Sequence, residues 1–126
     1  MGKVDADDAR IDSAEIAPDC YIVCATGALD GDLSVELGRT LFTLARRHGV
    51  QLVADLSGAH SANKTTAGVL TAAAHAVARE GGELVVVTRD PGLDRLFEDT
   101  GLRNLIRTER TLQDGVERAV VAHMQA

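Results

Sequence analysis

The chain has 126 residues, 45% of them hydrophobic and 25% charged, enough for one domain whose core needs no disulfide or metal staple. Its aromatic content is one Tyr and two Phe, which excludes a stacking platform for single-stranded nucleic acid. A formal net charge of −6 opposes phosphate-backbone binding as a main activity and suits protein partners instead.

Residues 1–10 are small, acidic and without period, and are expected to form a loose arm ahead of a single domain spanning 11–126. The start MGKVDADDAR lacks a signal-peptide core, and Ala6 breaks the myristoylation pattern. With no apolar run of membrane-spanning length, the expectation is a soluble, cytoplasmic protein that does not engage a membrane. Ile11–Ile16 is expected as a short edge strand, Pro18-Asp19 as a turn and Tyr21–Thr26 as a strand. Cys20 and Cys24 would then lie about 13 Å apart at strand rise, too far for a bridge. Both are expected to be free, as in a reducing compartment.

Gly27–Asp32 supplies a polar turn, after which Leu33, Leu37, Leu41 and Leu44-Ala45 mark one face of a helix. Arg46, Arg47 and His48 suit its C-terminal dipole, with Gly49 beyond. Val50–Leu56 reads as the next strand, followed by a small polar loop. A helix over Thr66–Glu80 turns Val69, Leu70, Ala73, Ala74 and Val77 inward and stops at Gly81-Gly82. Leu84–Val87 is a strand covered on both faces. Asp90-Pro91 is an N-cap followed by N1 proline, opening a short helix with Leu93, Leu96 and Phe97 inward that ends at Thr100-Gly101. Leu105-Ile106 is expected as a last strand. Thr111 then caps a helix whose stripe is Leu112, Val116 and Val120. The order ββαβαβαβα predicts an α/β fold with parallel pairing, right-handed crossovers and helices packed on the sheet.

The chemistry concentrates in Asp55–Leu70, where Ser57, His60, Ser61, Asn63, Lys64, Thr65 and Thr66 crowd a strand-to-helix connection. Gly58–Thr65 is a near miss to the phosphate-binding GxxxxGK[ST] pattern, with Asn63 in place of the second Gly. That Gly supplies φ > 0 and close backbone approach, so a nucleotide-binding module is a minor alternative. A triad of Asp55, Ser57 or Ser61, and His60 lacks the GxSxG elbow. His48, His60, His75 and His123 are scattered without ligand spacing, so neither a catalytic centre, a metal nor a cofactor is expected. Thr65 and Thr66 sit where a helix begins. There a hydroxyl serves as an N-cap, worth about 1 kcal/mol. The same place suits a phosphoacceptor, because a helix N-terminus tolerates the added charge of about −1.5 to −2.

Five pieces of the chain, in order, resemble a STAS domain of the bacterial anti-sigma factor antagonist type. They are Ile22–Asp30 (IVCATGALD), Val53–Gly58 (VADLSG), Gly68-Val69-Leu70, Ala73–Val87 and Leu96–Leu105 (LFEDTGLRNL). The resemblance implies a mixed, mainly parallel sheet of four to five strands with about four helices. In such proteins the acceptor lies in a D-S-S-G-L segment that falls here on Asn63-Lys64-Thr65-Thr66-Ala67, the usual acceptor Ser on Thr65. The resemblance further implies partner switching. An anti-sigma factor with serine/threonine kinase activity modifies the acceptor, only the unmodified form binds it, and a phosphatase resets the system. Transcription is regulated, and no reaction is catalysed by the chain itself. The expected partner surface is Asp30, His60, Ser61, Asn63, Lys64, Thr65 and Thr66 with the exposed side of the following helix, and a homodimer is left open. Asn63 for Asp, Lys64 for Ser and Thr66 for Gly depart from the pattern and make the loop two charge units more positive. A STAS module that no longer switches, serving as a scaffold or accessory subunit, is the second reading.

Overall fold

The computed structural model describes residues 9–125. Of the expected arm, positions 1–8 lie outside the described residues, and Arg10 already pairs with Thr26. The chain runs β1 (Arg10–Ala17), β2 (Cys20–Ala28), α1 (Asp32–Ala45), β3 (Gln51–His60), α2 (Lys64–Arg79), β4 (Glu83–Val87), α3 (Pro91–Thr100), β5 (Arg107–Glu109) and α4 (Leu112–Gln125). This is the ββαβαβαβα order expected from periodicity. The strands form one sheet in the order β1-β2-β3-β4-β5 among the described residues, with β1 antiparallel to β2 and the remaining neighbours parallel. The edge position of β1 explains its exposure, and the interior position of β4 explains its unbroken Leu-Val-Val-Val run.

The two faces of the sheet are covered unequally. Leu33, Leu37 and Leu41 of α1 and Leu70, Ala73 and Val77 of α2 pack with Leu52, Ala54 and Leu56 of β3, and Phe97 of α3 joins them. On the opposite face α4 is the one helix among the described residues, packing on Val53 and Val87 through Ala119. The expected stripe of Leu112, Val116 and Val120 is corrected here. Leu112 is exposed, Val116 and Val120 are half-buried, and the buried positions are Gly115 and Ala119. A Cβ at Gly115 would come within 2.6 Å of Val87 Cγ2, so the helix lies down on its smallest residues and rolls Leu112 outward.

Two other boundaries move. Leu105-Ile106 is not a strand: a 3₁₀ turn occupies Leu102–Asn104, Leu105 is exposed, and the ladder to β4 begins at Arg107. The polar loop expected after Leu56 is mostly strand as well. β3 continues to His60, pairing Gly58, Ala59 and His60 with Thr26, Gly27 and Ala28 after a register shift. The shift gives β3 one extra residue, so Ala59 returns to the α1/α2 core and His60 points away from it. Asp55 holds this bulge, its Oδ1 accepting from Ser57 N–H at 3.1 Å and from Ser57 Oγ at 2.6 Å.

Candidate functional site

The extension of β3 carries the chain to the edge of the β2–α1 connection before α2 begins. Leu29 N–H donates to the His60 carbonyl at 2.7 Å, joining the ends of β2 and β3. Ser61 takes a left-handed conformation (φ 61°), which ends the strand, and its Oγ lies 3.0 Å from His60 Nδ1. Asn63 is the N-cap of α2: its Oδ1 accepts from Thr65 N–H at 3.0 Å and Thr66 N–H at 3.2 Å. Thr66 completes the reciprocal arrangement, its Oγ1 accepting from Asn63 N–H at 3.2 Å.

The two threonines have opposite surroundings. Thr66 is fully buried, with its Oγ1 2.9 Å from Ser34 Oγ and 3.0 Å from the Leu29 carbonyl. Ser34 Oγ donates to that same carbonyl at 2.6 Å. The backbone of Leu29 therefore ties the ends of β2 and β3 to α1 and α2, its N–H donating to the His60 carbonyl and its own carbonyl accepting from Ser34 and Thr66. Thr65, one residue earlier, is exposed, and its hydroxyl has no hydrogen-bond partner among the described residues. Asp30, one residue after Leu29, is exposed too. The buried node thus carries an exposed residue on each of its two strands of chain: Asp30 beside Leu29, and Thr65 beside Thr66. His60, Ser61, Asn63 and Lys64 are exposed around them. Of the surface expected from the sequence, Thr66 alone lies inside the molecule.

Sequence reasoning missed Ser34. Its signal was a hydroxyl on the apolar face of α1 between Leu33 and Leu37, where a buried polar group requires a partner.

Neither the phosphate-loop nor the triad geometry forms in this stretch. Gly58, Ala59 and His60 are ladder residues, and Asn63 is extended at φ −141°, so no phosphate-cradling loop forms over Gly58–Thr65. The Thr65 and Thr66 N–H groups that would face a phosphate are taken by Asn63. Asp55 is committed to Ser57 and His60 to Ser61, and no hydrogen bond joins these two pairs among the described residues. Cys20 and Cys24 are both free. Burial raises the Cys24 thiol pKa, and the neighbouring Asp55 carboxylate raises it further. The described residues contain no group of three or more His, Cys, Asp or Glu placed to hold a metal ion, and no helix long and apolar enough to cross a membrane.

Five strands, mostly parallel, with helices on both faces and an exposed hydroxyl at the first turn of α2, define a STAS-type α/β domain. The STAS domain model matches residues 13–115, and the chain belongs to that family. Solved structures agree in fold. An anti-sigma factor antagonist from Mycobacterium paratuberculosis superposes with a TM-score of 0.77 at 22% identity, covering 90% of this chain and 96% of that one. The anti-sigma factor antagonist SpoIIAA in its unphosphorylated form gives 0.75 at 12% identity, over 89% and 97%. The Bacillus cell fate determinant SpoIIAA in its phosphorylated form gives 0.70 at 12% identity, over 86% and 98%.

Proposed function

We propose that this chain is an anti-sigma factor antagonist, a cytoplasmic regulator without catalytic activity of its own. It docks on an anti-sigma factor that is also a serine/threonine kinase, through Asp30, His60, Ser61, Asn63, Lys64 and Thr65. Phosphorylation of Thr65 ends that docking, and a phosphatase restores it. The observation that carries this reading is the exposed Thr65 hydroxyl, without a hydrogen-bond partner among the described residues, beside the buried node of Thr66, Ser34 and Leu29. Thr66, the other hydroxyl in the segment, is buried and engaged, and serves as the inner anchor.

In the transfer, Thr65 Oγ1 attacks the γ-phosphorus of ATP, the β–γ bridging bond breaks, and ADP and the hydroxyl proton leave. Every catalytic group belongs to the kinase. The product gains about −1.5 to −2 charge at the start of a helix, where the dipole tolerates it and the core is untouched. Docking is what changes, because a partner face shaped for a neutral hydroxyl must now desolvate a dianion.

The test is a binding titration with the purified cognate kinase. Thr65→Glu is expected to weaken the complex at least about a hundredfold, the scale of a like-charge mismatch at an interface, and Thr65→Ala to leave it within about threefold. Phosphate located by mass spectrometry on any residue other than Thr65 refutes the acceptor assignment. If Thr65→Glu binds as tightly as the parent, the non-switching scaffold reading replaces this one.

A further inference from the structure

A second surface adjoins the first. Along α1, Val35 and Phe42 are 47% and 39% exposed, although one is β-branched and the other is one of two phenylalanines in the chain. They flank Gly38, which is buried and lets α2 approach so closely that a Cβ there would sit 3.1 Å from Val69. Between the helices lies a shallow groove of about 490 Å³, floored by these apolar groups and bordered by Arg39 and Arg46. Its lining contains no carboxylate. Neither arginine makes an ion pair among the described residues, whereas Arg47, Arg103, Arg107, Arg110 and Arg118 all do. On a chain of net charge −6 the groove is therefore locally positive.

Spacing defines what fits. Val35 and Phe42 are seven residues apart, as are Arg39 and Arg46, which is about 10.5 Å along the helix at 1.5 Å per residue. That is the repeat at which a second helix presents apolar anchors one heptad apart, with its flanking residues above the arginines. We propose that the α1–α2 groove receives an acidic amphipathic helix of the partner, its apolar side on Val35, Phe42 and Val69 and its carboxylates on Arg39 and Arg46. This rests on the docking reading given above and deepens it, because Thr65 and Val69 are one turn apart on α2. A dianion at Thr65 would stand about 6 Å along the axis from the groove, inside the screening length of about 8–10 Å at physiological salt. The charge that repels the partner at Thr65 thus also repels the segment seated beside it.

The probe is a stapled amphipathic peptide of two heptads with Leu anchors and Glu flanks, titrated into the 15N-labelled protein. The control peptide carries Lys in place of Glu. The Glu peptide is expected to saturate, with amide shifts confined to α1 and the first half of α2 and affinity falling as salt rises. Arg39→Glu combined with Arg46→Glu should cost about tenfold or more and reverse the preference between the peptides. Both arginines are exposed, so this variant is expected to fold, and circular dichroism checks it. Phe42→Ala gives an independent loss without altering charge. Absence of saturation, shifts mapping elsewhere, or equal binding of the Lys peptide overturns the inference. A Phe42-dependent dimer in sedimentation overturns it as well, since a second copy would then own the groove. Failure of the Thr65 reading shows differently: the parent still binds the Glu peptide, and Thr65→Glu leaves the kinase complex intact.

Discussion

The N-termini of α2 and α3 are built from the same rule and end with opposite electrostatics. At α3, Asp90 caps with a carboxylate, its Oδ1 accepting from Gly92 N–H at 3.1 Å, and Pro91 follows at N1. Asp94 adds a second carboxylate in that first turn, bonded to Arg110 at 2.7 Å. The positive end of that dipole is already answered by the chain itself. At α2 the cap is the neutral Asn63, no acid stands in the first turn, and Lys64 occupies N1. There no carboxylate answers the dipole, although Asn63 caps the Thr65 and Thr66 N–H groups, and an added anion meets favourable rather than unfavourable charge. The difference teaches how one device serves twice. At α3 the sequence supplies its own negative charge, and at α2, where the proposed acceptor lies, it supplies none.

Substitutions break or sharpen this contrast. The largest effect belongs to the structural helix: Phe97→Ala in α3, fully buried, should lower unfolding free energy by about 3–5 kcal/mol in a urea titration. Partner affinity per folded molecule should stay at the parent value, because the proposed docking face lies elsewhere. A destabilised protein that also loses affinity would show that α3 contributes to docking. Next is Thr66→Val, which keeps the shape but withdraws the hydroxyl from Ser34, Leu29 and the Asn63 N–H, at an expected cost of about 1–3 kcal/mol. Thermal melts that leave this variant unchanged would remove the node from the explanation.

The caps come last. Asn63→Ala and Asp90→Ala should each cost about 1 kcal/mol, for the same reason at both helices. Asn63→Asp separates them: a carboxylate at α2 should stabilise the unmodified protein by about 0.3–1 kcal/mol at low ionic strength, an increment that salt erases. In the phosphorylated protein the same substitution should be destabilising, since two anions would then share one helix end. A melting temperature that rises in both forms would mean the charge vacancy at α2 has no bearing on the phosphoryl group.

Much of this was legible in the residues. The Asp90-Pro91 start of α3, the Leu33–Leu37–Leu41 stripe and the β-branched run of β4 declare themselves through local chemistry, and all appear where periodicity placed them. Other features depended on partners far away in sequence. Ser57–His60 carries turn-forming residues, yet it is strand, because β2 offers Thr26, Gly27 and Ala28 as a ladder and Asp55 holds the bulge that keeps register. Leu112 follows helical period and is still exposed, because Gly115 lets the sheet choose a different face.

The sequence by itself determined the class of fold and the order of its elements, because each follows from short-range period, capping and turn chemistry. The resemblance put the expected acceptor on Thr65, but the residues alone could not say which of two identical neighbouring hydroxyls is buried. Tertiary structure decided that: helical geometry points them in different directions, and the packing of α1 against α2 closes over Thr66, giving it Ser34 and the Leu29 carbonyl, while Thr65 faces water. A hydroxyl's fate rests on which atoms arrive beside it, and those atoms come from residues about thirty positions earlier in the chain.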